Sequence, residues 1–186
     1  MKIRTERLEL IPGTVDLLSA ELEGLAPFRQ KLGVMVPQSW PPDLYDRPAQ
    51  EFMVNYLKEN EDASGWGTWY LVLRNGNPET LIGICGYKGK PSLDGTVEIG
   101  YSVLAEYQRK GYASEAARAL VDRAFAHPEV TRVIAETFPE LLPSIRVLEK
   151  NGFVLIGAGS EPGVIRFELS CAIHVKIGQI IQQEIK

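Results

Sequence analysis

Apolar and polar residues alternate with a period of two along several short segments, and this period predicts β-strands. The predicted strands are residues 3 to 11, 68 to 74, 80 to 87, 96 to 104, 130 to 138, 153 to 158 and 164 to 171. Asn75 and Gly76 favour a tight hairpin turn between the second and third strands, and Asp94 with Gly95 favours another turn before the fourth. The last two strands are expected to form a closing hairpin.

A period of 3.6 residues predicts helices over residues 14 to 23, capped by Thr14, over 47 to 60 and over 112 to 126. Ser144 is expected to cap a short helix that Gly152 ends. The helix over 112 to 126 has an apolar face made of Ala113, Ala116, Ala117, Leu120, Val121, Ala124 and Phe125. Residues 24 to 46 are rich in proline and are expected to be irregular. The order of elements predicts one α/β domain over residues 1 to 171, followed by a tail, 172 to 186.

Composition is that of an ordinary globular protein, with 45% hydrophobic residues, 24% charged residues and a net charge of −4 over 186 residues. No basic excess is present to bind a phosphate backbone, so nucleic acid is not an expected partner. The first residues contain no apolar run of signal-peptide or membrane-span length, so a cytoplasmic location with no membrane contact is expected by default. Cys85 and Cys171 are expected to be buried thiols, with neither a disulfide nor a metal site.

The segment YQRKGYASEA, residues 107 to 116, places a glycine in a turn at the start of the clearest helix and has no capping side chain. The first N–H groups of a helix have no internal acceptor, and the positive end of the helix dipole lies behind them. Gly111 lets an anion approach these amides, and Arg109 and Lys110 add positive charge, so the pattern favours an anion site. A simple glycine turn before a core helix would also account for it.

Three motifs, which stand in the family's order along the chain, resemble those of the GNAT N-acetyltransferases. The segment EIGYSVLAEYQRKGYASEAARALVDRAF is similar to the acetyl-CoA-binding motif Q/R-x-x-G-x-G/A, met by Gln108, Gly111 and Ala113. RTERLEL, residues 4 to 10, and PSIRVLEKNGF, residues 143 to 153, resemble the subgroup of ribosomal-protein N-terminal acetyltransferases, the RimJ/RimL-like enzymes. The resemblance implies a three-layer fold with a mixed, mostly antiparallel sheet, and acetyl-CoA as the acyl donor.

The resemblance also implies cofactor contacts. The backbone amides of Arg109, Lys110, Gly111, Tyr112, Ala113 and Ser114 would bind the pyrophosphate of coenzyme A, and Gln108 belongs to the same motif. Val103 and Leu104 would pair through backbone groups with the pantetheine arm. The family often has Asn where this chain has Leu141, three residues before Ser144. This departure leaves the details of the mechanism open.

Glu98 is the first candidate for the base that accepts the amine proton. It shares a polar and small face of its strand with Gly100 and Ser102, a pattern that a cleft would explain. A structural or solvated Glu98 is the alternative, and Glu136 at the end of a strand or a water molecule could replace it as the base. Ser144 is expected to be a helix cap, a proton donor to the leaving thiolate, or both. The chain has no Tyr between positions 113 and 186 that would donate this proton instead.

The expected reaction is direct attack of a primary amine on acetyl-CoA in a ternary complex. The acceptor stays open between a protein N-terminus and a small-molecule amine. Trp40, Tyr45, Trp66 and Trp69 fall in segments that form the acceptor pocket of this fold, although most are expected to be core residues. Two alternatives from other classes are a non-catalytic CoA-binding module and a homodimer contact formed by the C-terminal tail.

Overall fold

Short strands and helices alternate in the computed structural model, which describes residues 2 to 74 and 76 to 175. The strands are β1 (Ile3–Arg4), β2 (Leu8–Pro12), β3 (Thr68–Leu73), β4 (Thr80–Tyr87), β5 (Thr96–Val103), β6 (Arg132–Thr137), β7 (Val154–Ala158) and β8 (Ile165–Ser170). The helices are α1 (Val15–Glu23), α2 (Leu25–Leu32), α3 (Arg47–Glu59), α4 (Tyr112–Phe125) and α5 (Leu142–Lys150). Among the described residues, no helix has both the length and the apolar character needed to cross a membrane.

The eight strands form one sheet in the order β1-β2-β3-β4-β5-β6-β8-β7. Neighbouring strands are antiparallel from β1 to β4 and again from β6 through β8 to β7. β5 and β6 are parallel, with a register that runs from Thr96↔Arg132 to Glu98↔Ile134. The sheet therefore confirms the predicted α/β fold with a mixed, mostly antiparallel sheet.

The chain divides into two compact units. The first contains Met1–Lys90 with Tyr101–Ala116, and the second contains Pro91–Gly100 with Ala117–Lys186. The core of the first unit includes Leu18, Phe28, Val36, Trp40, Met53, Val54, Tyr70, Val72 and Leu81. Buried residues of the second unit include Val97, Ile99, Leu120, Val133, Ala135, Leu148, Phe153, Phe167 and Leu169. The single domain over residues 1 to 171 stays a prediction.

The predicted strand over residues 3 to 11 is interrupted by a turn. The Thr5 N–H donates to the Leu8 carbonyl at 3.0 Å, and the Leu8 N–H donates to Thr5 Oγ1 at 3.0 Å. A threonine hydroxyl that accepts from a nearby N–H competes with the strand ladder, so the chain folds back as the β1–β2 hairpin. Arg7 stands in this turn.

Two expectations about loops differ from the structure. Residues 24 to 46 contain α2, because Pro27 is the third residue of that helix, where its missing N–H has no intrahelical acceptor to lose. The tight turn predicted between β3 and β4 is wrong, since Leu73 pairs with Thr80 and residues 74 to 79 lie between them. Asn75 itself lies outside the described residues.

Ser144 is not the cap of α5, so that prediction is wrong. The helix begins at Leu142, and Leu141 occupies the N-cap position without a side-chain hydrogen bond. Pro143, the second residue of the helix, has the backbone angle that the first turn requires, and this accounts for the earlier start. Ser144 is the third residue, and its N–H donates to the Leu141 carbonyl at 2.9 Å. The cap predicted for α1 is confirmed, since Thr14 Oγ1 accepts from the Leu17 N–H at 3.2 Å.

The C-terminal segment continues past β8 as a helical turn over residues 171 to 175. His174 Nε2 lies 3.1 Å from Asp122 Oδ1. Residues 176 to 186 lie outside the described part of the chain, and with them lies most of the tail proposed as a homodimer contact. Cys85 is buried, as expected, whereas Cys171 is only half-buried.

Candidate active site

The loop before α4 presents a row of backbone N–H groups to solvent. Arg109 has φ 59° and Gly111 has φ 85°, both in the left-handed region, so successive amides of the loop converge instead of alternating. Within the described residues, the N–H groups from Arg109 to Ala113 have no hydrogen-bond acceptor. Arg109, Lys110 and Gly111 are exposed. This loop, Arg109 to Ala113, is called the amide nest below.

Side chains of Gln108 and Lys110 link the loop at the amide nest to the chain that precedes it. Gln108 Nε2 donates to the Val103 carbonyl at 2.9 Å, and Lys110 Nζ donates to the Glu106 carbonyl at 2.9 Å. Gln108 therefore connects the loop to the end of β5, and the ammonium of Lys110 is bound to the carbonyl of Glu106. These contacts fix the conformation in which the amides stay open.

The backbone groups of Leu104 are already engaged within the protein. Its N–H donates to the Ile82 carbonyl at 2.9 Å, and its carbonyl accepts from the Tyr107 N–H at 2.8 Å. The Leu104 N–H therefore has no hydrogen left for a ligand. The Val103 carbonyl keeps one lone pair beyond its bond with Gln108.

Arg7 and Glu115 form an ion pair beside the amide nest that the sequence analysis missed. Arg7 Nε donates to Glu115 Oε2 at 2.7 Å, and the Arg7 N–H donates to Glu115 Oε1 at 2.8 Å. Thr5 Oγ1 donates to the same oxygen at 2.5 Å. Burial raises the pKa of Glu115, but the hydrogen bonds from Thr5 and Arg7 outweigh burial and lower it overall. Glu115 therefore remains an anion at neutral pH.

Glu98 lies on β5 in the second unit, where the predicted alternation holds. Val97 and Ile99 are each 2% exposed, while Glu98 and Gly100 on the other face are less buried. A Cβ added to Gly100 would meet no described atom within 4 Å, so space is open on this face next to Glu98. The Oε1 atom of Glu98 is nevertheless shielded from solvent. A carboxylate with one shielded oxygen and open space beside it suits a group that exchanges a proton with a bound molecule.

The carboxylate of Glu136 accepts several hydrogen bonds from the protein, so Glu136 is not a solvated strand-end residue. Its carboxylate accepts from Ser160 Oγ at 2.6 Å, from the Ser160 N–H at 2.8 Å and from Arg166 Nε at 2.8 Å. Burial raises the pKa of Glu136, but the bonds from Ser160 and Arg166 lower it overall. A carboxylate stabilised in this way is a weak base, so Glu136 is less suited than Glu98 to accept the amine proton.

A buried carboxylate organises the aromatic residues of the first unit. Glu21 is 7% exposed and accepts from Trp40 Nε1 at 2.8 Å, the Tyr45 hydroxyl at 3.0 Å and the Tyr70 hydroxyl at 2.5 Å. Gln50 Nε2 lies at 3.4 Å. The sequence offered a signal, since Glu21 falls four residues after Leu17, on the apolar face of α1.

The aromatic residues expected to be core residues are buried, which confirms that prediction for Trp40, Tyr45, Trp66 and Trp69. The loop that carries Trp40 and Tyr45 is also fixed at its surface. Ser102 Oγ on β5 donates to the Asp43 carbonyl at 2.7 Å. The polar face of β5 is thus covered by this loop at Ser102.

A cleft of about 710 Å³ lies on the β5–β6–β8 face of the second unit. Most of its charged groups pair with each other, since Arg132 contacts Asp94 at 2.6 Å and Glu168 at 3.4 Å, while Arg166 pairs with Glu136. Neither Glu98 nor Ser144 lines it. No group of three or more metal-binding side chains occurs in the part of the chain that the structure describes.

Residues 14 to 154 match the family model described as an acetyltransferase (GNAT) domain. The Bacillus subtilis (strain 168) protein named uncharacterized N-acetyltransferase YjdG is 31% identical over 160 residues, covering 86% of this chain and 93% of its own. An acetyltransferase from Agrobacterium tumefaciens str. C58 has a TM-score of 0.63 at 26% identity, with 91% and 94% of the two chains covered. RimL, a ribosomal L7/L12 alpha-N-protein acetyltransferase solved with coenzyme A, has the same fold, with a TM-score of 0.63 at 17% identity over 91% and 98% of the chains. With the family motif folded as an open amide nest at the start of α4, the chain belongs to the GNAT acetyltransferase family.

Proposed function

We propose that the chain transfers the acetyl group of acetyl-CoA to a primary amine by direct attack in a ternary complex. The amide nest carries this proposal, because five N–H groups without a described acceptor lie together at the start of a helix, where an anion binds favourably, and coenzyme A supplies one in its pyrophosphate. Family membership and the N-acetyltransferase names of the relatives support the same activity.

The donor is proposed to bind with its pyrophosphate at the amides of Arg109 to Ser114. Its pantetheine arm then runs along β5 and pairs with backbone groups near Val103. Leu104 is less suited to this pairing, because its N–H is donated to Ile82. Gln108 acts through its bond with the Val103 carbonyl, so it orients the loop without needing to touch the donor.

The transfer forms a bond between the amine nitrogen and the acetyl carbon and breaks the bond from that carbon to sulfur. Only the neutral amine attacks, so a protonated amine first loses one proton to a base. The nitrogen loses a second proton as the amide forms, the departing thiolate gains one, and the remaining proton passes to solvent. Glu98 is the proposed base, supported by its shielded oxygen and the open space beside Gly100. Ser144 or water is the proposed proton donor to sulfur.

The acceptor is proposed to be either a protein N-terminus or a small-molecule amine. The structural neighbour RimL acts on the α-amino group of a ribosomal protein, which keeps a protein N-terminus among the candidates. The loop around Trp40 and Tyr45 is the segment proposed to select the acceptor. Hydrogen bonds to Glu21 and from Ser102 hold this loop in place.

A thermal-shift titration tests the donor site. At about 100 times its Kd, acetyl-CoA should stabilise the wild type by about 2.7 kcal/mol, which raises Tm by about 5–10 °C in a protein of this size. Gly111→Glu should abolish this shift, because the new side chain would fill the nest and its carboxylate would repel the pyrophosphate.

Gly163→Glu is the matched control. Gly163 has φ 83°, close to the 85° of Gly111, but it lies in the turn between β7 and β8. The control carries the same strain and charge and should keep the shift. A folded Gly111→Glu variant that is stabilised as much as the wild type would remove the amide nest from the donor site.

A further inference from the structure

Arg7 places a guanidinium at the edge of the amide nest from a distant part of the chain. Its Nη1 donates to the Lys110 carbonyl at 2.9 Å, and its guanidinium lies 4.6 Å from the centre of the Tyr112 ring. A Cβ added to Gly111 would lie 3.3 Å from Nη2. Arg7 therefore contacts Lys110 and Tyr112 of the nest, and a side chain at position 111 would require Nη2 to move by a few tenths of an ångström.

The hydrogen bonds of Arg7 leave one nitrogen available. Nε is used by Glu115 and Nη1 by Lys110, whereas Nη2 has no acceptor among the described residues. The side chain is 34% exposed, so this nitrogen is fixed in position yet reachable from solvent. A guanidinium held in this way loses little entropy when it binds an anion.

The charge of Glu115 gives a second reason for an arginine here. Glu115 lies in the first turn of α4, its pKa is lowered, and it is therefore an anion within one turn of the nest. An uncompensated carboxylate at this place would repel a phosphate group. Arg7 cancels that charge and adds a donor.

We propose that Arg7 is a pyrophosphate-binding residue of the donor site, held in place by Glu115 as its positioning residue. The inference rests on the proposed function, since it assumes that the nest binds the pyrophosphate of coenzyme A. Charge-assisted hydrogen bonds of this kind are worth about tenfold or more in affinity.

The test compares three ligands that differ in phosphate content: coenzyme A, 3′-dephospho-coenzyme A and pantetheine, with Kd measured by calorimetry for the first two and by ligand-observed NMR for the third. Arg7→Gln should weaken binding of coenzyme A and of 3′-dephospho-coenzyme A by the same factor, about tenfold or more. Binding of pantetheine, which lacks the pyrophosphate, should not change. The matched control is Arg4→Gln, which removes another arginine paired with a glutamate, Glu9, at 2.8 Å in the same hairpin. The control should bind all three ligands as the wild type does.

The double variant Arg7→Gln with Glu115→Gln separates direct binding from charge compensation. It should remain weaker than the wild type for coenzyme A, because the Nη2 donor is still missing. Full recovery of affinity would mean that Arg7 only cancels Glu115, and would overturn the proposal. An unchanged Kd in Arg7→Gln, or an equal loss for pantetheine, would overturn it as well.

Should Arg7→Gln fail to fold, Arg7→Lys serves as the second variant. Lysine keeps a charge for Glu115 but has one nitrogen instead of three, so it should still lose affinity for coenzyme A and not for pantetheine. A wild type that binds no coenzyme A would overturn the proposed function and this inference together. A wild type that binds, with Arg7 variants that bind equally well, would overturn the inference alone.

Discussion

Replacing Glu21 by alanine should cost the first unit much of its stability. Trp40, Tyr45 and Tyr70 would each lose the carboxylate that accepts their hydrogen bonds, at 2.8, 3.0 and 2.5 Å. A buried donor left without an acceptor costs about 1–3 kcal/mol, and the two tyrosine hydroxyls can partly satisfy each other. The expected loss for Glu21→Ala is therefore about 3–5 kcal/mol.

Glu21→Gln should behave differently, because its amide keeps an acceptor oxygen for Trp40 and can donate to a tyrosine hydroxyl. Burial raises the pKa of Glu21, and the hydrogen bonds from Tyr70, Trp40 and Tyr45 reverse this only in part. The folded state therefore binds the proton more tightly than the unfolded state. The stability that this proton contributes is complete below the ordinary value of 4.5 and is lost as pH rises through the raised value. The glutamine variant has no such loss.

The assay is urea unfolding of the wild type and both variants between about pH 4 and 8, with the free energy of unfolding extrapolated to water. The wild type should lose stability relative to Glu21→Gln as pH rises above 4.5. A constant difference between the two across this range would refute the raised pKa. A loss below about 1 kcal/mol for Glu21→Ala would refute the role of the network itself.

Two further predictions concern the catalytic candidates. Glu98→Gln should lower turnover by about 10²-fold near neutral pH and recover much of it in alkali, where the amine arrives neutral; pH–rate profiles parallel to those of the wild type would exclude a base role. Ser144→Ala should not carry the cost of a lost N-cap, about 1 kcal/mol, since Ser144 is not the cap of α5. It should lower kcat by about 10²-fold if the hydroxyl protonates the thiolate, and an unchanged kcat would assign that proton to water.

Local periodicity was enough to predict most of the fold. The apolar face of α4 gave the helix from Tyr112 to Phe125, and the two-residue alternation gave β3 to β8. The amide nest was predicted from one glycine at a helix start, because the absence of a cap is visible in the sequence. Errors arose where a single residue has two opposite uses. Pro27 lies in the segment that was expected to be irregular, and Pro143 precedes the serine that was expected to cap α5, although each proline stands in the first turn of a helix.

The remaining features depend on residues that are distant in the sequence. Arg7 and Glu115 are 108 positions apart, and Glu21 and Tyr70 are 49 apart. No local pattern reports such a pair, because Arg7 and Glu115 each resemble an ordinary surface charge, and the place of Glu21 on the apolar face of α1 does not identify Tyr70 as its partner. Only the fold brings their atoms within hydrogen-bonding distance.

Release of free thiol from acetyl-CoA tests the central claim most directly. The protein is incubated with acetyl-CoA and a panel of primary amines that includes peptides with free N-termini, small amines and amino acids. The masses of the products are measured by mass spectrometry. The account predicts that at least one amine gains a single acetyl group, with one thiol released for each amide formed. Binding of acetyl-CoA without thiol release or acetylated product for any amine would contradict it and would favour a non-catalytic CoA-binding module.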